Sequence, residues 1–247
     1  MTPGTGNLSD TCARLTRQGF ALLPSAFAYD EVTRMIADLT AIFSSPIEGD
    51  PALRSQSGGV YGARNVLELW PPVRQLWRQP PLGSVLEELL GSELGLVRVL
   101  YFDKPPGQSW SLPWHKDMTI AVRNNRLPSA HFSKPTRKAG VPHVEAPLAI
   151  LENMITARIH LDEVTEENGP LKVIPGSHHT GKKLVLGEVP PVSIHANRGD
   201  VLLMWPLLAH CSGRSHPETL RHRRILHLEF AARPELPEVY EWHDFVR

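Results

Sequence analysis

The chain has 247 residues, of which 41% are hydrophobic, and its 26 basic and 26 acidic side chains cancel to a formal net charge of zero. This length and apolar content suit one domain with a sizeable core, and the charge balance argues against nucleic acid or an anionic membrane surface as the main partner. The only cysteines, Cys12 and Cys211, exclude a disulfide framework and a CxxC zinc pattern.

The first ten residues contain neither a basic segment nor an apolar stretch of the kind that forms a signal peptide. No apolar run along the chain reaches the roughly 18 residues that a membrane span needs. We therefore predict a single domain, residues 1–247, of a monomeric cytoplasmic protein that has a small-molecule substrate and neither nucleic-acid nor membrane partners.

The N-terminal part, residues 1–95, is predicted to be mainly helical. Between its first two helices, GFALLP at 19–24 has the composition of a short strand. Gly91 is a typical stop signal for its last helix. Hydrophobic residues recur at helical spacing in four segments, 9–18, 30–43, 73–77 and 82–90.

From residue 96 to residue 231 the sequence changes to short β-rich runs separated by Pro and Gly turns. Strands of this length and spacing indicate a sandwich or barrel, so the predicted fold class is mainly β with flanking α-helices. Residues 103–150 lack a clear period and are predicted to be a long functional loop, and residues 232–247 are predicted to be a C-terminal tail. The β-rich runs are 96–102, 155–164, 171–176, 192–196, 200–205 and 224–231.

The sharpest local motif is His115-Lys116-Asp117. In an extended segment, residues two apart point to the same side, so this imidazole and this carboxylate could reach one metal ion together. A His-x-Asp tripeptide is common by chance, and alone it is weak evidence for a metal site.

A second candidate imidazole, His210, follows 95 residues after the first. The segment 197–205 has the pattern of a turn and an apolar strand, which would deliver His210 near the far end of that strand. Two imidazoles and one carboxylate form the facial triad that leaves open positions on iron(II). The alternative for His210 is a hydrogen-bonded histidine of the core.

A basic cluster at 221–224 then enters the apolar run ILHLEFA. A guanidinium held on a strand inside a barrel can bind the distal carboxylate of a dicarboxylate in bidentate fashion, which a lysine cannot match. Ser212, two residues beyond His210, could add a hydroxyl donor to that carboxylate. The alternative, a solvated basic face, applies to at least two of the four residues.

Taken in order, these motifs resemble those of the phytanoyl-CoA dioxygenase family, over roughly residues 97–231. The resemblance rests on HxD at 115–117, LDEVTEENGPLKVIPGSH at 161–178, GDVLLMWPLLAHCS at 199–212 and RRILHLEFA at 223–231. It implies a double-stranded β-helix (jelly-roll, cupin-like) core and an enzyme that uses iron(II), 2-oxoglutarate and O2. It also implies iron ligation by His115, Asp117 and His210.

The resemblance places the arginine that binds 2-oxoglutarate at the start of the last core strand. Alignment on the end of that strand selects Arg223, whereas counting from His210 selects Arg221, and we prefer Arg223. Ser212 and Lys104 are the further cosubstrate contacts that the family suggests.

Three residues are candidate substrate contacts. Arg158 stands where some members of the family carry an aromatic residue, which indicates either an anionic substrate or a buried salt bridge. Arg64 lies in a Gly-rich stretch expected near the pocket mouth, and His143 lies in a segment, 138–147, that could form part of a lid.

The predicted activity is that of a non-haem iron dioxygenase, which hydroxylates a C–H bond of a small organic substrate and releases succinate and CO2. Asp117 favours hydroxylation or desaturation, because related halogenases replace this carboxylate with a small residue. One alternative is a cupin-type metal-dependent hydrolase or isomerase with the same three ligands, which would not need Arg223 or Ser212. The other is a catalytically silent jelly-roll binding protein.

Overall fold

The computed structural model describes residues 7–44, 52–54, 60–126, 128–187 and 189–247. Within these ranges the helices are α1 (Leu8–Gln18), α2 (Tyr29–Ser44), α3 (Val66–Leu69), α4 (Val73–Leu76), α5 (Leu82–Leu90) and α6 (Leu148–Leu151). The first seven strands are β1 (Phe20–Leu23), β2 (Ala52–Arg54), β3 (Val60–Ala63), β4 (Gly95–Phe102), β5 (Leu112–His115), β6 (Thr119–Ala121) and β7 (Ser133–Lys138). The others are β8 (Val141–Glu145), β9 (Met154–His160), β10 (Leu171–Val173), β11 (Val192–Ile194), β12 (Val201–Met204), β13 (His210–Ser212) and β14 (Ile225–Ala231).

The strands form three antiparallel sheets. The major sheet has the order β1-β12-β9-β14-β4-β3-β2, and the second has the order β11-β10-β13-β5. A small third sheet has the order β6-β8-β7. Apolar side chains of β10 and β11 pack against those of β12, so the second sheet lies over the major one. This arrangement confirms the predicted mainly β, jelly-roll fold.

The two faces of the major sheet differ in character, as the period of its strands requires. On β14, Leu226, Leu228 and Phe230 belong to the main core under the helices, where the Phe230 ring meets Trp77 of the helical layer at 5.2 Å. His227, between two of these residues, points to the opposite face and lines a cavity. The helices therefore cover one face of the major sheet, and the other face is left for a site.

α1 ends at a glycine that connects the helix to the major sheet. Gly19 has φ 89° and donates its N–H to Leu15 O at 2.8 Å. A Cβ atom here would lie 2.6 Å from both His178 Nδ1 and Leu208 Cδ1. Glycine is favoured because it combines a left-handed backbone with close packing against the loop before His210.

The prediction that residues 103–150 form a long loop is wrong. β5 joins the second sheet, while β6, β7 and β8 make a sheet of their own and α6 follows them. Five of the six residues of β7 are exposed, whereas β8 is buried at four of its five positions. Neither strand alternates between apolar and polar residues, which removed the usual sequence signal for a strand.

The predicted position of His210 at the end of an apolar strand is also corrected. β12 ends at Met204, and a turn closed by a hydrogen bond from Leu208 N to Trp205 O at 3.0 Å follows it. Pro206 in this turn cannot donate to a strand ladder. The chain thereby leaves the major sheet, and His210 begins β13 in the second sheet.

The described residues of the N-terminal part form the helices α1 to α5, and they also supply β1 at one edge of the major sheet and β2 and β3 at the other. The C-terminal residues pack on the barrel, because Leu96 and Val246 exchange two backbone hydrogen bonds of 2.9 Å. In the described part of the chain, no helix combines the length and the apolar character that crossing a membrane requires.

Candidate active site

His115 and His210 are direct cross-strand partners in the second sheet. β5 and β13 run antiparallel with these two residues in register, and their ring centroids lie 4.1 Å apart. Side chains opposite each other on one face of a sheet are close neighbours. Two histidines that are 95 residues apart in sequence are thus brought together by strand pairing.

Asp117 completes the cluster from the turn after β5. Its backbone N–H donates to Pro206 O at 2.9 Å, which ties it to the loop that precedes His210. The Asp117 carboxylate lies 3.8 Å from His115 Nε2 and 3.5 Å from His210 Nε2. One ligand atom from each of the three residues falls within 4.8 Å of the others.

The protonation state of both histidines suits a metal ligand. His115 Nδ1 lies 2.8 Å from Pro113 O, and His210 Nδ1 lies 2.8 Å from Leu208 O. Because a carbonyl oxygen can only accept, each Nδ1 carries the hydrogen, and each Nε2 presents a lone pair towards Asp117. Burial lowers the pKa of His210 to about 4, so this imidazole is neutral at neutral pH.

Burial opposes the ionisation of Asp117, but the neighbouring His210, His227, His115 and Arg98 outweigh it and lower the pKa of this carboxyl to about 2. The site thus offers one anionic oxygen and two imidazole nitrogen atoms on one side of the cavity. This donor set fits a divalent transition metal with open coordination positions.

A cavity of about 320 Å³ between the major sheet and the second sheet contains all three candidate ligands. Apolar side chains of Leu100, Phe102, Trp110, Leu112 and Leu171 form part of its wall. The charged side chains of the wall are Arg64, Arg98, Lys138, Arg158, Arg223, Asp117 and Glu229.

Arg223 lines this cavity, and Lys104 lies beside it, fully buried behind the wall. They exchange backbone hydrogen bonds of 3.2 Å in each direction, which extends the β4–β14 ladder beyond its assigned strands. The Lys104 amino group donates to Ser212 Oγ at 3.4 Å and to the carbonyl of Gly213. The Trp110 ring lies 4.8 Å from Lys104 Nζ and 5.7 Å from Arg223 Cζ.

Arg223 has unused donor capacity. Arg223 is only 2% exposed, and its side chain donates a hydrogen bond from Nη1 to Gly169 O at 2.8 Å. Its Nε is buried and has no partner among the described residues. Burial, and after it the neighbouring Arg158, lower the pKa of Arg223 to about 9, so the guanidinium stays charged at neutral pH. A buried cation with an unpaired donor fits an incoming carboxylate.

The structure places Arg221 outside the cavity. Arg221 is exposed and pairs with two surface carboxylates, Glu163 at 2.5 Å and Glu167 at 3.3 Å. Arg224 points to the other side of its strand and forms a bidentate pair with Asp162 at 2.8 and 2.6 Å. Of the three arginines at 221–224, Arg223 alone lines the cavity.

Arg158 belongs to a buried polar network along the floor of the cavity. Its Nη1 lies 2.9 Å from His227 Nδ1, and His227 Nε2 lies 3.1 Å from Glu229 Oε1. Since a guanidinium can only donate, His227 accepts at Nδ1 and donates from Nε2 to the carboxylate. Glu229 in turn forms a bidentate pair with Arg98, at 2.9 and 2.5 Å.

The two other candidate substrate contacts occupy different places. Arg64 is half-buried and lines the cavity. His143 is buried behind the wall, in a small neighbouring cavity that Arg64 and Arg98 also line. Burial lowers the pKa of His143 to about 4, and its Nδ1 lies 3.0 Å from Val141 O. His143 therefore does not face the candidate metal ligands.

Sequence analysis missed the roles of Arg98, Glu229 and Lys138 in the cavity wall. Arg98 and Glu229 each interrupt an otherwise apolar strand, and a charged residue in such a run is a signal of a buried pair. Lys138 lies in the segment predicted to be a loop, so no strand period shows which way its side chain points.

The fold and the converging side chains define the class of protein, a jelly-roll with a two-histidine, one-carboxylate candidate metal centre. The family model described as phytanoyl-CoA dioxygenase (PhyH) matches residues 15–223. The chain therefore belongs to the phytanoyl-CoA dioxygenase family, which confirms the resemblance found in its motifs.

Curated relatives include L-proline trans-4-hydroxylase of Streptomyces griseoviridis, 26% identical over 70% of this chain and 56% of that protein. Ectoine dioxygenase of Bordetella bronchiseptica is 26% identical over 74% of this chain and 53% of that protein. The chain thus spans about half the length of the curated relatives it matches.

Solved structures share the fold at low sequence identity. EctD from S. alaskensis in its apo form superposes with a TM-score of 0.69 at 19% identity, covering 94% of this chain and 79% of that chain. AviO1 from Streptomyces viridochromogenes superposes with a TM-score of 0.65 at 20% identity, covering 95% of this chain and 100% of that chain.

Proposed function

We propose that this protein is an iron(II)- and 2-oxoglutarate-dependent dioxygenase that hydroxylates a C–H bond of a small organic substrate, with release of succinate and CO2. One observation carries the proposal. The cavity that contains His115, Asp117 and His210 also contains the buried, incompletely paired guanidinium of Arg223. A metal centre alone would not need this second feature.

Each residue has a defined part in the proposed enzyme. His115, Asp117 and His210 hold the iron from one side and leave its other side open to the cavity. Arg223 binds the distal carboxylate of 2-oxoglutarate, with Lys104 and Ser212 as further donors to the same group. When iron(II) and 2-oxoglutarate are bound, the chemistry they supply is the oxidative decarboxylation of the cosubstrate by O2, coupled to oxidation of the substrate.

The surrounding side chains keep the cosubstrate oriented and exclude water. The Trp110 ring lies beside Lys104 and Arg223, the two basic residues proposed to bind the distal carboxylate of 2-oxoglutarate. Phe102 packs against Trp110, with a distance of 6.2 Å between the ring centroids. Apolar walls lower the local dielectric, which strengthens the pairing of Arg223 with a carboxylate.

The curated relatives support a small-molecule substrate, because their names refer to proline and to ectoine. Solved structures of the same fold include EctD from S. alaskensis with iron and with 2-oxoglutarate and 5-hydroxyectoine. The iron and 2-oxoglutarate in these solved structures agree with the proposed cofactor and cosubstrate, while the substrate of this chain is a separate question.

Succinate release distinguishes the proposal from a cupin-type hydrolase or isomerase. We expect purified protein supplied with iron(II), 2-oxoglutarate and O2 to form succinate, slowly without a substrate and faster with one. His210→Ala should abolish the reaction, and Arg221→Gln, a surface change, should leave it intact. Tight metal binding without any succinate would contradict the proposal and favour the hydrolase or isomerase, and loss of both would favour a silent binding protein.

A further inference from the structure

The charge of the cavity wall is not balanced. Buried charges are stable only when they are paired. Iron(II) and the 2-oxoglutarate dianion would cancel each other, so an excess of three positive charges would remain after both have bound. Among the described residues that line the cavity there are five cations and two carboxylates, namely Arg64, Arg98, Lys138, Arg158, Arg223, Asp117 and Glu229.

Two of these cations already have partners in the protein. Arg98 is neutralised by its bidentate pair with Glu229 and also donates to Thr119 O at 3.2 Å. Arg158 is held by His227 at 2.9 Å and lies beside the Phe102 ring, 5.9 Å from its centroid. Arg223 is assigned to 2-oxoglutarate, which leaves two cations unassigned.

Arg64 and Lys138, both half-buried, are the two remaining cations, and neither has a carboxylate partner among the described residues. Within the described ranges, Arg64 has no hydrogen bond or ion pair, and Lys138 has one hydrogen bond, from Nζ to Thr119 Oγ1 at 3.3 Å, and no carboxylate partner. Burial, and after it the neighbouring Arg98, lower the pKa of both groups. An anion between them would relieve this repulsion.

The protein holds these two residues together at the candidate metal site. Asn65 Nδ2 donates to Ala139 O at 3.2 Å, which ties the segment after β3 to the turn between β7 and β8. Lys138 contacts Thr119, which follows Asp117 by two residues. A group bound by Arg64 and Lys138 would therefore have the rest of its molecule beside the candidate metal ligands.

The position of Arg64 and Lys138 is distinct from the place beside Arg223 where the distal carboxylate of 2-oxoglutarate is proposed to bind. The two positions are separated along one wall of the cavity, because Arg98, which is close to Thr119, lies six positions before Lys104, which pairs with Arg223. Six residues of extended strand separate Arg98 from Lys104, a distance of roughly 20 Å between their backbones. One 2-oxoglutarate molecule cannot occupy both positions.

We propose that Arg64 and Lys138 form an anion-binding subsite for the substrate to be oxidised, which would carry an oxyanion group, a carboxylate or a phosphate-like ester. This inference rests on the proposed function for the role of the subsite, and on the described contacts for its existence. The proposed subsite also pairs Arg64 with Lys138, a residue that the sequence alone did not indicate.

The test is calorimetric titration with two simple probes, acetate for a carboxylate and sulfate for a phosphate-like group, at constant ionic strength. The protein is first loaded with zinc(II) and 2-oxoglutarate, because zinc permits binding without turnover. If zinc and 2-oxoglutarate fail to bind, this result counts against the proposed function and not against the anion subsite. If loading fails, the same titrations on unloaded protein still test the anion subsite.

We expect wild type to bind one equivalent of at least one probe, and the probe that binds more tightly identifies the oxyanion class. In Arg64→Gln/Lys138→Gln the dissociation constant should rise at least tenfold, with loading by zinc and 2-oxoglutarate unchanged. The double variant Lys134→Gln/Arg221→Gln removes the same two charges from exposed positions and should bind like wild type. No binding of either probe to wild type, or equal affinity in the Arg64/Lys138 variant, would overturn the subsite.

Discussion

At the scale of single residues, Arg223 and Arg221 show how strand pairing selects one of two neighbouring cations. The ladder between β4 and β14 extends back to Arg223, which exchanges backbone hydrogen bonds with Lys104. Arg221 lies beyond the ladder, where its side chain reaches surface carboxylates. Only Arg223 is both buried and directed into the cavity.

Substitution of Arg223 by glutamine should weaken 2-oxoglutarate binding selectively. Removing one partner of a buried, hydrogen-bonded charge pair costs about 2 kcal/mol or more, which is roughly thirtyfold in dissociation constant. Calorimetry of 2-oxoglutarate binding to the metal-loaded protein measures this. Metal affinity should stay unchanged, and Arg221→Gln is the matched control. Equal losses in the two variants would contradict the assignment.

Lys104 should make 2-oxoglutarate binding depend on pH. Burial, and after it Arg223 and Arg158, lower the pKa of Lys104 to about 6, so its amine is mostly neutral at neutral pH before the cosubstrate binds. A carboxylate placed beside it favours the ammonium form, so binding takes up a proton. Affinity should therefore fall as pH rises from about 6 towards the higher pKa that Lys104 has in the complex.

Calorimetric dissociation constants at several pH values, in buffers with different ionisation enthalpies, measure both the affinity and the proton uptake. Lys104→Met should bind 2-oxoglutarate more weakly, with little dependence on pH in this window. If wild type and Lys104→Met show the same pH dependence, another group titrates and the role given to Lys104 is wrong.

Sequence could identify the candidate ligands because His115, Asp117 and His210 lie in motifs with a definite order and spacing. It could not identify Lys138, which has no motif and enters the cavity only through a hairpin. It also could not choose between the tautomers of the histidines, which depend on backbone carbonyls that fold beneath each ring.

At the scale of elements, one short turn braces both segments that carry the candidate ligands. The residue between His115 and Asp117, Lys116, is buried and donates to Ser177 O at 2.8 Å, Thr180 Oγ1 at 2.9 Å and Gly181 O at 2.6 Å. Ser177 Oγ accepts from the N–H of Ala209 at 2.8 Å, one residue before His210. The 3-10 turn Ser177–Thr180 thus links β5 to β13.

Lys116→Met should loosen this brace and weaken metal binding. Residues that support metal ligands from outside typically contribute about 10- to 100-fold in affinity, and we expect a loss of about tenfold for zinc(II). Competition with a chromogenic chelator measures the affinity, and the thermal midpoint of unfolding records any general loss of stability. Lys183→Met, at an exposed position three residues after this turn, should leave both unchanged. An unchanged metal affinity in Lys116→Met would show that the turn does not position the ligands.

The elements that sequence predicted well are those with a clear period, such as α2, which buries one face, and β14, in which apolar residues alternate with His227 and Glu229. β5, β6, β7 and β8 escaped prediction because β5 and β7 are largely exposed and β8 is almost wholly buried. Their pairing depends on distant partners, such as the register between His115 and His210, and no local pattern records it.

At the scale of the whole molecule, the two faces of the major sheet have different roles, one in the stability of the fold and the other in the candidate active site. Its helix-covered face belongs to the main apolar core, and its other face presents Arg158, His227 and Glu229 to the cavity. Substitutions on the two faces should therefore have different consequences.

Phe230→Ala should lower the free energy of unfolding by about 3–5 kcal/mol, the usual cost of removing a buried aromatic ring. Phe230 is 0% exposed and packs against Trp77 at 5.2 Å. Urea denaturation measures the change, with Leu220→Ala, at a position 86% exposed, as a control that should shift it by less than about 0.5 kcal/mol. A loss below about 1 kcal/mol for Phe230→Ala would contradict the packing of the helical layer on the major sheet.

The class of fold could be predicted from the chain, because the order and spacing of its motifs resemble those of a jelly-roll family. The shape of the cavity could not, since its walls come from β4, β5, β9, β13 and β14 together with the hairpin of β7 and β8. The unbalanced charge of that cavity becomes visible only when these elements are assembled.

The most direct test of the proposed function is an anaerobic titration with iron(II) and then 2-oxoglutarate, followed by visible absorbance, in wild type and His210→Ala. We expect wild type to develop the weak metal-to-ligand charge-transfer band of 2-oxoglutarate chelated to iron, because the three ligands leave positions open for it, and His210→Ala to lack this band. Iron that binds to wild type without producing the band on addition of 2-oxoglutarate would contradict the assignment of an oxoglutarate-dependent dioxygenase.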